Sequence, residues 1–311
     1  MRIALLCEEA AGARILQALA PGPHALVAVL ASGPTRALAE KLGYRPLPGE
    51  RVRQPGFAAE LAGAGVQLLL NVHSLYIVPE AVLRVPPLGA WNLHPGPLPR
   101  YAGLNAPSWA IYRGEQRHGV TVHRMEQGID TGDIAYQETF PIGAEETGLS
   151  LALRCAESGL ALLQRLLEDA AAGAVPRRAQ DPAQRSYFGR GVPQGGRIDW
   201  QAPARRIFDF VRACDYHPFA SPWGVPRARL GDEELEIRKV ALTGEACAEP
   251  PGTVRTDDAG RTLVAAADEW LQCYRSGPKI RSGTSSTTSG TKISSAVTAE
   301  TASRKGSDSR V

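Results

Sequence analysis

Asn92, His94 and Asp130 are the residues whose types and spacing could do chemistry. Asn92 and His94 stand two apart in WNLHPGPLPRYAGLNAP, and Asp130 follows His94 by 36 residues, within GIDTGD. An amide can donate hydrogens to a developing oxyanion, an imidazole can donate or accept, and a carboxylate can take a proton. Together they suit acyl transfer to an amine. His73, His118, His123 and His217 show no metal-ligand spacing and read as core or surface histidines, so no metal is expected. GxSxG is absent, which removes the usual serine hydrolase.

The elements that must position this set follow from the apolar pattern. LGAWNLH reads as a strand, on which Asn92 and His94 point to one face at the carboxyl end. Open α/β sheets place their sites there. Pro95, Pro97 and Pro99 then force an extended rim loop. IALLC, ALVAVL and VQLLLNV are further strand-length runs, with ARILQAL and AAELAGA as helical candidates between them. That alternation predicts a mostly parallel sheet flanked by helices. GVTVHRM and IAYQETFPI add two strands around the GIDTGD turn. Leu149, Leu153, Ala156, Leu160, Leu163 and Leu167 then mark one apolar helical stripe. Glu8 and Glu9 stand where GxGxxG would be needed, which argues against a nicotinamide or flavin cofactor.

We divide the chain into a catalytic domain over residues 1–180, a Pro- and Gly-rich linker over 181–203 and a barrel-like domain over 204–275. Residues 276–311 follow as a Ser/Thr/Gly-rich tail. The barrel is expected from the helix ARRIFDFVRA and the short strand-like pieces LEIRKVAL, PGTVRT and RTLVAAA, with a further strand wanted after EWLQCYR. Trp109 and Tyr112, three apart, read as core, whereas the aromatic segment DYHPFASPWG could floor an acceptor site or pack as a loop.

The 311 residues carry a net charge of +3, but residues 276–311 hold six basic and two acidic side chains and so account for +4 of it. A body of charge −1 offers no basic footprint for nucleic acid. No apolar run is long enough for a membrane span, and MRIALLCEEA reads as a strand rather than a signal peptide. Cys7, Cys155, Cys214, Cys247 and Cys273 are odd in number and form no CxxC pair. A cytoplasmic protein is the expectation.

The stretch from Asn92 to Gly103, with DTGD at Asp130 to Asp133, resembles the folate-dependent formyltransferase family in motif order and spacing. YFGR at Tyr187 to Arg190 and IDW at Ile198 to Trp200 resemble the bridge to that family's smaller carboxyl-terminal domain. The resemblance implies a Rossmann-like α/β domain with a smaller OB-like β-barrel domain. It implies transfer from 10-formyltetrahydrofolate, with Asn92 and a protonated His94 donating to the oxyanion while Asp130 favours the charged imidazole and accepts the amine's proton. It further implies that the pteridine lies against Leu75, Ile77 and Val78 and the backbone of Gln127, Gly128, Ile129 and Gly132. Gly96 is a departure, since many relatives carry Ser there.

The resemblance leaves the acceptor open. The basic insertion that methionyl-tRNA formyltransferases carry after their second strand is missing, since ALVAVLASGPTRALAEK passes directly from strand to helix. The expected acceptor is therefore a small or carrier-bound amine, an amino acid or an amino sugar. RYAGLNAPSWAIYRGEQRHGVTVH looks most like the formyltransferase-like domains of peptide and polyketide assembly lines. The alternatives are methionyl-tRNA formylation, hydrolysis of 10-formyltetrahydrofolate, and a non-catalytic module of a synthetase.

Overall fold

A computed structural model describes residues 1–230 and 233–275. The expectations for the tail, residues 276–311, lie outside the described residues. The chain forms two compact units, one of Met1–Pro107, Gln116–Gly143 and Ser150–Gly189, the other of Ser108–Glu115, Ala144–Leu149 and the chain from Arg190.

The first unit begins with β1 (Arg2–Cys7), α1 (Glu9–Leu19), β2 (Ala25–Leu30), α2 (Gly33–Lys41), α3 (Phe57–Gly63), β3 (Leu68–Val72), α4 (Glu80–Leu83) and β4 (Ala90–His94). The short β5 (Ala102–Gly103) follows, then α5 (Ala106–Tyr112), most of which belongs to the second unit, and back in the first β6 (Arg117–Arg124), β7 (Ile134–Pro141), α6 (Gly148–Ala171) from its third residue on, and β8 (Tyr187–Phe188). Six strands make one sheet of order β2-β1-β3-β4-β6-β7. The first four run parallel and β6 and β7 antiparallel, so the sheet is Rossmann-like and mostly parallel. β3 is buried along its whole length, as a central strand covered on both faces must be.

The buried face of α6 is rotated from the leucine stripe expected of it. Leu151, Cys155, Ala156, Leu163, Leu166, Leu167 and Ala170 are buried, whereas Leu149, Leu153 and Leu160 are only half-buried. Gly159 explains the rotation. A Cβ there would lie 2.7 Å from Leu93 of β4, so the bare glycine lets the helix approach the strand that carries Asn92 and His94.

The second unit contains α7 (Ala204–Ala213), β9 (Arg227–Leu230), β10 (Glu233–Ala246), β11 (Val254–Thr256), β12 (Thr262–Ala265) and β13 (Glu269–Arg275). Its strands form a five-stranded antiparallel sheet of order β11-β12-β13-β10-β9. Leu263, Ala265 and Trp270 make one buried cluster on it. α7 is strongly amphipathic and packs on β10 and β13. Trp109 and Tyr112 are edge-on to Trp223, with ring centroids 4.8 and 6.2 Å away, so the DYHPFASPWG segment supplies a core partner. Among the described residues no helix is long and apolar enough to cross a membrane, and no His, Cys, Asp and Glu cluster could hold a metal ion.

Candidate active site

Strand register builds the site. β4 lies between β3 and β6, and Asn92 is paired with Asn71 on one side and His123 on the other. Facing residues in adjacent strands project to the same side of a sheet, so three polar side chains form a row. Asn71 Nδ2 donates to Asn92 Oδ1 at 3.1 Å, and Asn92 Nδ2 donates to His123 Nε2 at 3.0 Å. His123 Nδ1 lies 2.8 Å from the Arg124 carbonyl, which can only accept, so Nδ1 carries the hydrogen and Nε2 receives. Asn71 therefore orients the Asn92 amide with its donors toward His123 and Asp130.

His94 begins the rim loop and is 3 % exposed. Its Nε2 donates to the Tyr101 carbonyl at 2.7 Å, and its Nδ1 lies 3.4 Å from Asp130 Oδ2. Both ring nitrogens are thus engaged, and donation to an oxyanion would require one contact to be given up. Gly96 leaves room for this arrangement, because a Cβ there would lie 2.7 Å from His94 Nε2 and 3.0 Å from the Tyr101 oxygen. The departure at Gly96 accordingly has a packing consequence. Thr121 and Gln137 hold the same loop: the Thr121 hydroxyl donates to the Gly96 carbonyl at 2.7 Å, and Gln137 Nε2 donates to the Leu98 carbonyl at 2.7 Å.

Asp130 completes the cluster from the β6–β7 turn. Its Oδ2 accepts the Gly103 N–H at 2.8 Å, and its Oδ1 is 3.5 Å from Asn92 Nδ2 and 3.4 Å from His123 Nε2. Burial works against its ionisation, but His94 first and then the Gly103 N–H prevail and hold the carboxyl well below the usual range. For His94, burial is the largest influence and lowers its pKa below the ordinary value against the opposing pull of Asp130. The turn depends on two glycines. A Cβ on Gly128 would meet Thr131 Oγ1 at 2.3 Å, and one on Gly132 would meet the Arg124 carbonyl at 2.1 Å.

The structure therefore brings Asn92, His94 and Asp130 together, and adds Asn71 and His123, which sequence reasoning missed. Their signal was present: each is a polar residue inside a buried strand. The residues expected to face the pteridine behave differently from one another. Leu75, Ile77 and Ile129 are 66 %, 43 % and 40 % exposed, whereas Val78 belongs to the core cluster with Leu6, Leu69 and Val82. Gln127 and Gly128 are exposed and Gly132 is buried. A separate cavity of about 590 Å³ in the second unit, lined by Trp223, Arg227 and Glu236 among others, contains none of these residues.

His118 on β6 is fully buried and donates from Nε2 to the Pro95 carbonyl at 2.8 Å. Burial lowers its pKa to about 4; the Pro95 carbonyl opposes this, while His94 and Arg100 reinforce it. As pH falls from the unfolded value near 6.5, the unfolded chain binds a proton that the folded chain refuses, and stability is lost until about pH 4. The expected loss is about 3 kcal/mol. His118→Gln should lack this loss, which urea unfolding at neutral and mildly acidic pH would reveal. Equal losses in the two proteins would contradict it.

Comparison with known proteins bears on the whole arrangement. The formyl transferase family matches residues 15–167, and the formyl transferase C-terminal domain matches residues 192–281. The methionyl-tRNA formyltransferase of Solibacter usitatus is 32 % identical over 283 residues, covering 86 % of this chain and 88 % of its own. That of Anaeromyxobacter dehalogenans is 34 % identical over 284 residues, with the same coverages. Among solved structures, an N-formyltransferase from Helicobacter canadensis in complex with folinic acid and dTDP-3-aminofucose shares the fold, with a TM-score of 0.67 at 18 % identity, over 88 % of this chain and 99 % of that one. HypX from Aquifex aeolicus in complex with tetrahydrofolic acid has a TM-score of 0.65 at 19 % identity, over 88 % of this chain and 43 % of that one. On the family match and on these relatives, the chain belongs to the formyltransferase family, whose members are folate-dependent N-formyltransferases.

Proposed function

We propose that this protein transfers the formyl group of 10-formyltetrahydrofolate to the primary amine of a small or carrier-bound acceptor, an amino acid or an amino sugar. The observation that carries this reading is the convergence of Asn92, His94 and Asp130 on one buried cluster at the carboxyl end of β4. The donor supplies an electrophilic formyl carbon. When the acceptor nitrogen attacks it, a new C–N bond forms and the carbonyl oxygen takes up the negative charge. Asn92 Nδ2, oriented by Asn71, offers that oxygen a hydrogen in exchange for its long contact with Asp130. The nitrogen must also lose a proton. The His94–Asp130 pair takes it, because a buried neutral imidazole beside an ionised carboxylate gains a favourable ion pair on protonation. Collapse restores the carbonyl, breaks the bond to the donor's nitrogen and returns a proton to that nitrogen.

Leu75 and Ile77, both exposed, supply an apolar wall for the donor ring, and the backbone of residues 127–132 faces its polar edge. The Helicobacter enzyme's complex with folinic acid supports a folate ligand on this fold. We take the setting to be cytoplasmic, where the chain's five cysteines would stay reduced.

A second reading, methionyl-tRNA formylation, is favoured by the names of the curated relatives. Against it, Arg36, one of two basic residues after β2 and before Arg45, is paired with Glu40 at 3.1 Å. Glu9 and Glu50 lie close enough to Glu8, just after β1, to influence it, and such a group of acids suits a cationic amine better than phosphate. Incubation with 10-formyltetrahydrofolate and pooled small amines should consume donor only when amine is present and yield an N-formyl product by mass spectrometry. Amine-independent consumption would convert the reading to a hydrolase, and no consumption at all would leave a non-catalytic module.

A further inference from the structure

We propose that Gln180 and Arg185 are positioning residues that hold the backbone of residues 129–132 from outside and thereby aim the Asp130 carboxylate at its partners. The proposal deepens the assignment of Asp130 and rests on that reading for its kinetic consequences.

Asp130 has φ 53°, in the left-handed region where a non-glycine residue is strained. Such a conformation persists only where the surroundings fix it. Two side chains do so here. Gln180 Nε2 donates to the Asp130 carbonyl at 2.9 Å and to the Gly132 carbonyl at 2.7 Å, which uses both hydrogens of one amide. Arg185 donates from one nitrogen to the Ile129 carbonyl at 2.8 Å and from another to the Asp130 carbonyl at 3.4 Å. Among the described residues, no backbone N–H donates to these three carbonyls. The guanidinium and the amide therefore perform what a regular element would do elsewhere.

The segment bearing them is itself anchored at both ends. Arg178 exchanges two backbone hydrogen bonds with Ile134, at 2.8 and 2.9 Å, at the start of β7. Ser186 accepts the Ala102 N–H through its carbonyl at 2.9 Å and the Tyr101 N–H through its hydroxyl at 2.8 Å. Phe188 of β8 accepts from Leu104 at 2.8 Å. Between the anchors, the Asp181 side chain accepts the Ala183 N–H at 2.9 Å and fixes a turn. One stretch of chain thus holds Tyr101, whose carbonyl receives the His94 hydrogen, Gly103, whose N–H meets Asp130, and the Asp130 turn itself. The His94–Asp130 distance is set from both sides by the same strap.

Isosteric substitution separates this role from mere space-filling. Gln180→Glu keeps size and shape but turns oxygens toward two carbonyl oxygens. It is expected to lower kcat at saturating donor by about thirtyfold or more, as a displacement near 1 Å does at a reacting centre, with the KM for the amine within about twofold. Arg185→Lys should recover part of what Arg185→Ala loses, because an ammonium can still donate to one carbonyl. A second readout does not need turnover. Hydrogen exchange at the Gly103 amide, whose partner is Asp130 Oδ2, should quicken in Gln180→Glu and Gln180→Ala while amides of β1 keep their protection. Wild-type kcat in folded Gln180→Glu, or losses that track only the folded fraction, would overturn the proposal. So would unchanged Gly103 exchange. If the wild-type protein transferred no formyl group, the functional reading would fall, and Gly103 exchange alone would decide the strap's role. If Gln180→Glu did not fold, Gln180→Ala and Arg185→Lys would carry the same comparison.

Discussion

Asp130→Asn is expected to fold, to melt close to the parent and to transfer formyl groups at least about a hundredfold more slowly. The asparagine has the size of the aspartate and can still accept the Gly103 N–H through its oxygen. What it loses is charge. Asp130 is the largest influence raising the pKa of His94, so its removal leaves burial opposed only by the Tyr101 carbonyl and drives that pKa further down. The imidazole can then no longer hold the acceptor's proton. With its oxygen kept on Gly103, the amide nitrogen takes the place of Oδ1 and faces the Asn92 donors, where the carboxylate had offered lone pairs. His94→Ala should cost a similar factor for a complementary reason. It removes the base and leaves the Tyr101 carbonyl without the donor at 2.7 Å. Steady-state kinetics beside melting curves would check both. Near-normal turnover by a folded Asp130→Asn protein would sink the mechanism.

The parts of this site legible in sequence were those fixed by local pattern. A run of apolar residues ending in Asn-x-His can place two side chains on one strand face with no knowledge of the neighbours, and GIDTGD carries its turn in its own glycines. Sheet register is different. That His123 and Asn71 stand beside Asn92 depends on which strands flank β4 and on their alignment, and a single residue's slip would have turned either side chain to the opposite face. Their polarity within buried strands was readable, but not their partners. The strap was harder still. Gln180 and Arg185 bond backbone carbonyls, a role that leaves no periodicity, and so their segment reads as unpatterned chain. Val78 shows the converse limit, since an apolar residue expected to face a ligand is part of the core under α4. The rotated face of α6 has the same origin, because the contact at Gly159 with Leu93 outweighs the leucine spacing.

Methionyl-tRNA is expected to be a poor acceptor, with a kcat/KM at least about a hundredfold below that of the best small amine at moderate salt. This is a strict test, because relatives at 32 % and 34 % identity over most of the chain are methionyl-tRNA formyltransferases. The physical argument concerns phosphate contacts. Each phosphate neutralised by Lys or Arg releases counterions and strengthens binding, and a protein with few such contacts forfeits that contribution. Here only Ala31 and Ser32 separate β2 from α2, so no basic loop extends from that point. Ser32 is instead tied down, its N–H and hydroxyl both donating to Glu8 at 3.0 Å. Glu9 and Glu50 lie near enough to Glu8 to influence its ionisation, so this corner of the chain carries acids rather than added basic residues. Residues 1–275 together carry a charge of −1, so any affinity for RNA in the full chain should reside in the +4 of residues 276–311. Formylation of the small amine should accordingly change little between low and high salt, and a chain ending at residue 275 should behave as the full chain does. Efficient, salt-sensitive formylation of methionyl-tRNA by both proteins would overturn the acceptor assignment. It would leave the roles proposed for Asn92, His94 and Asp130 standing, because attack by an aminoacyl amine needs the same oxyanion donor and the same proton acceptor.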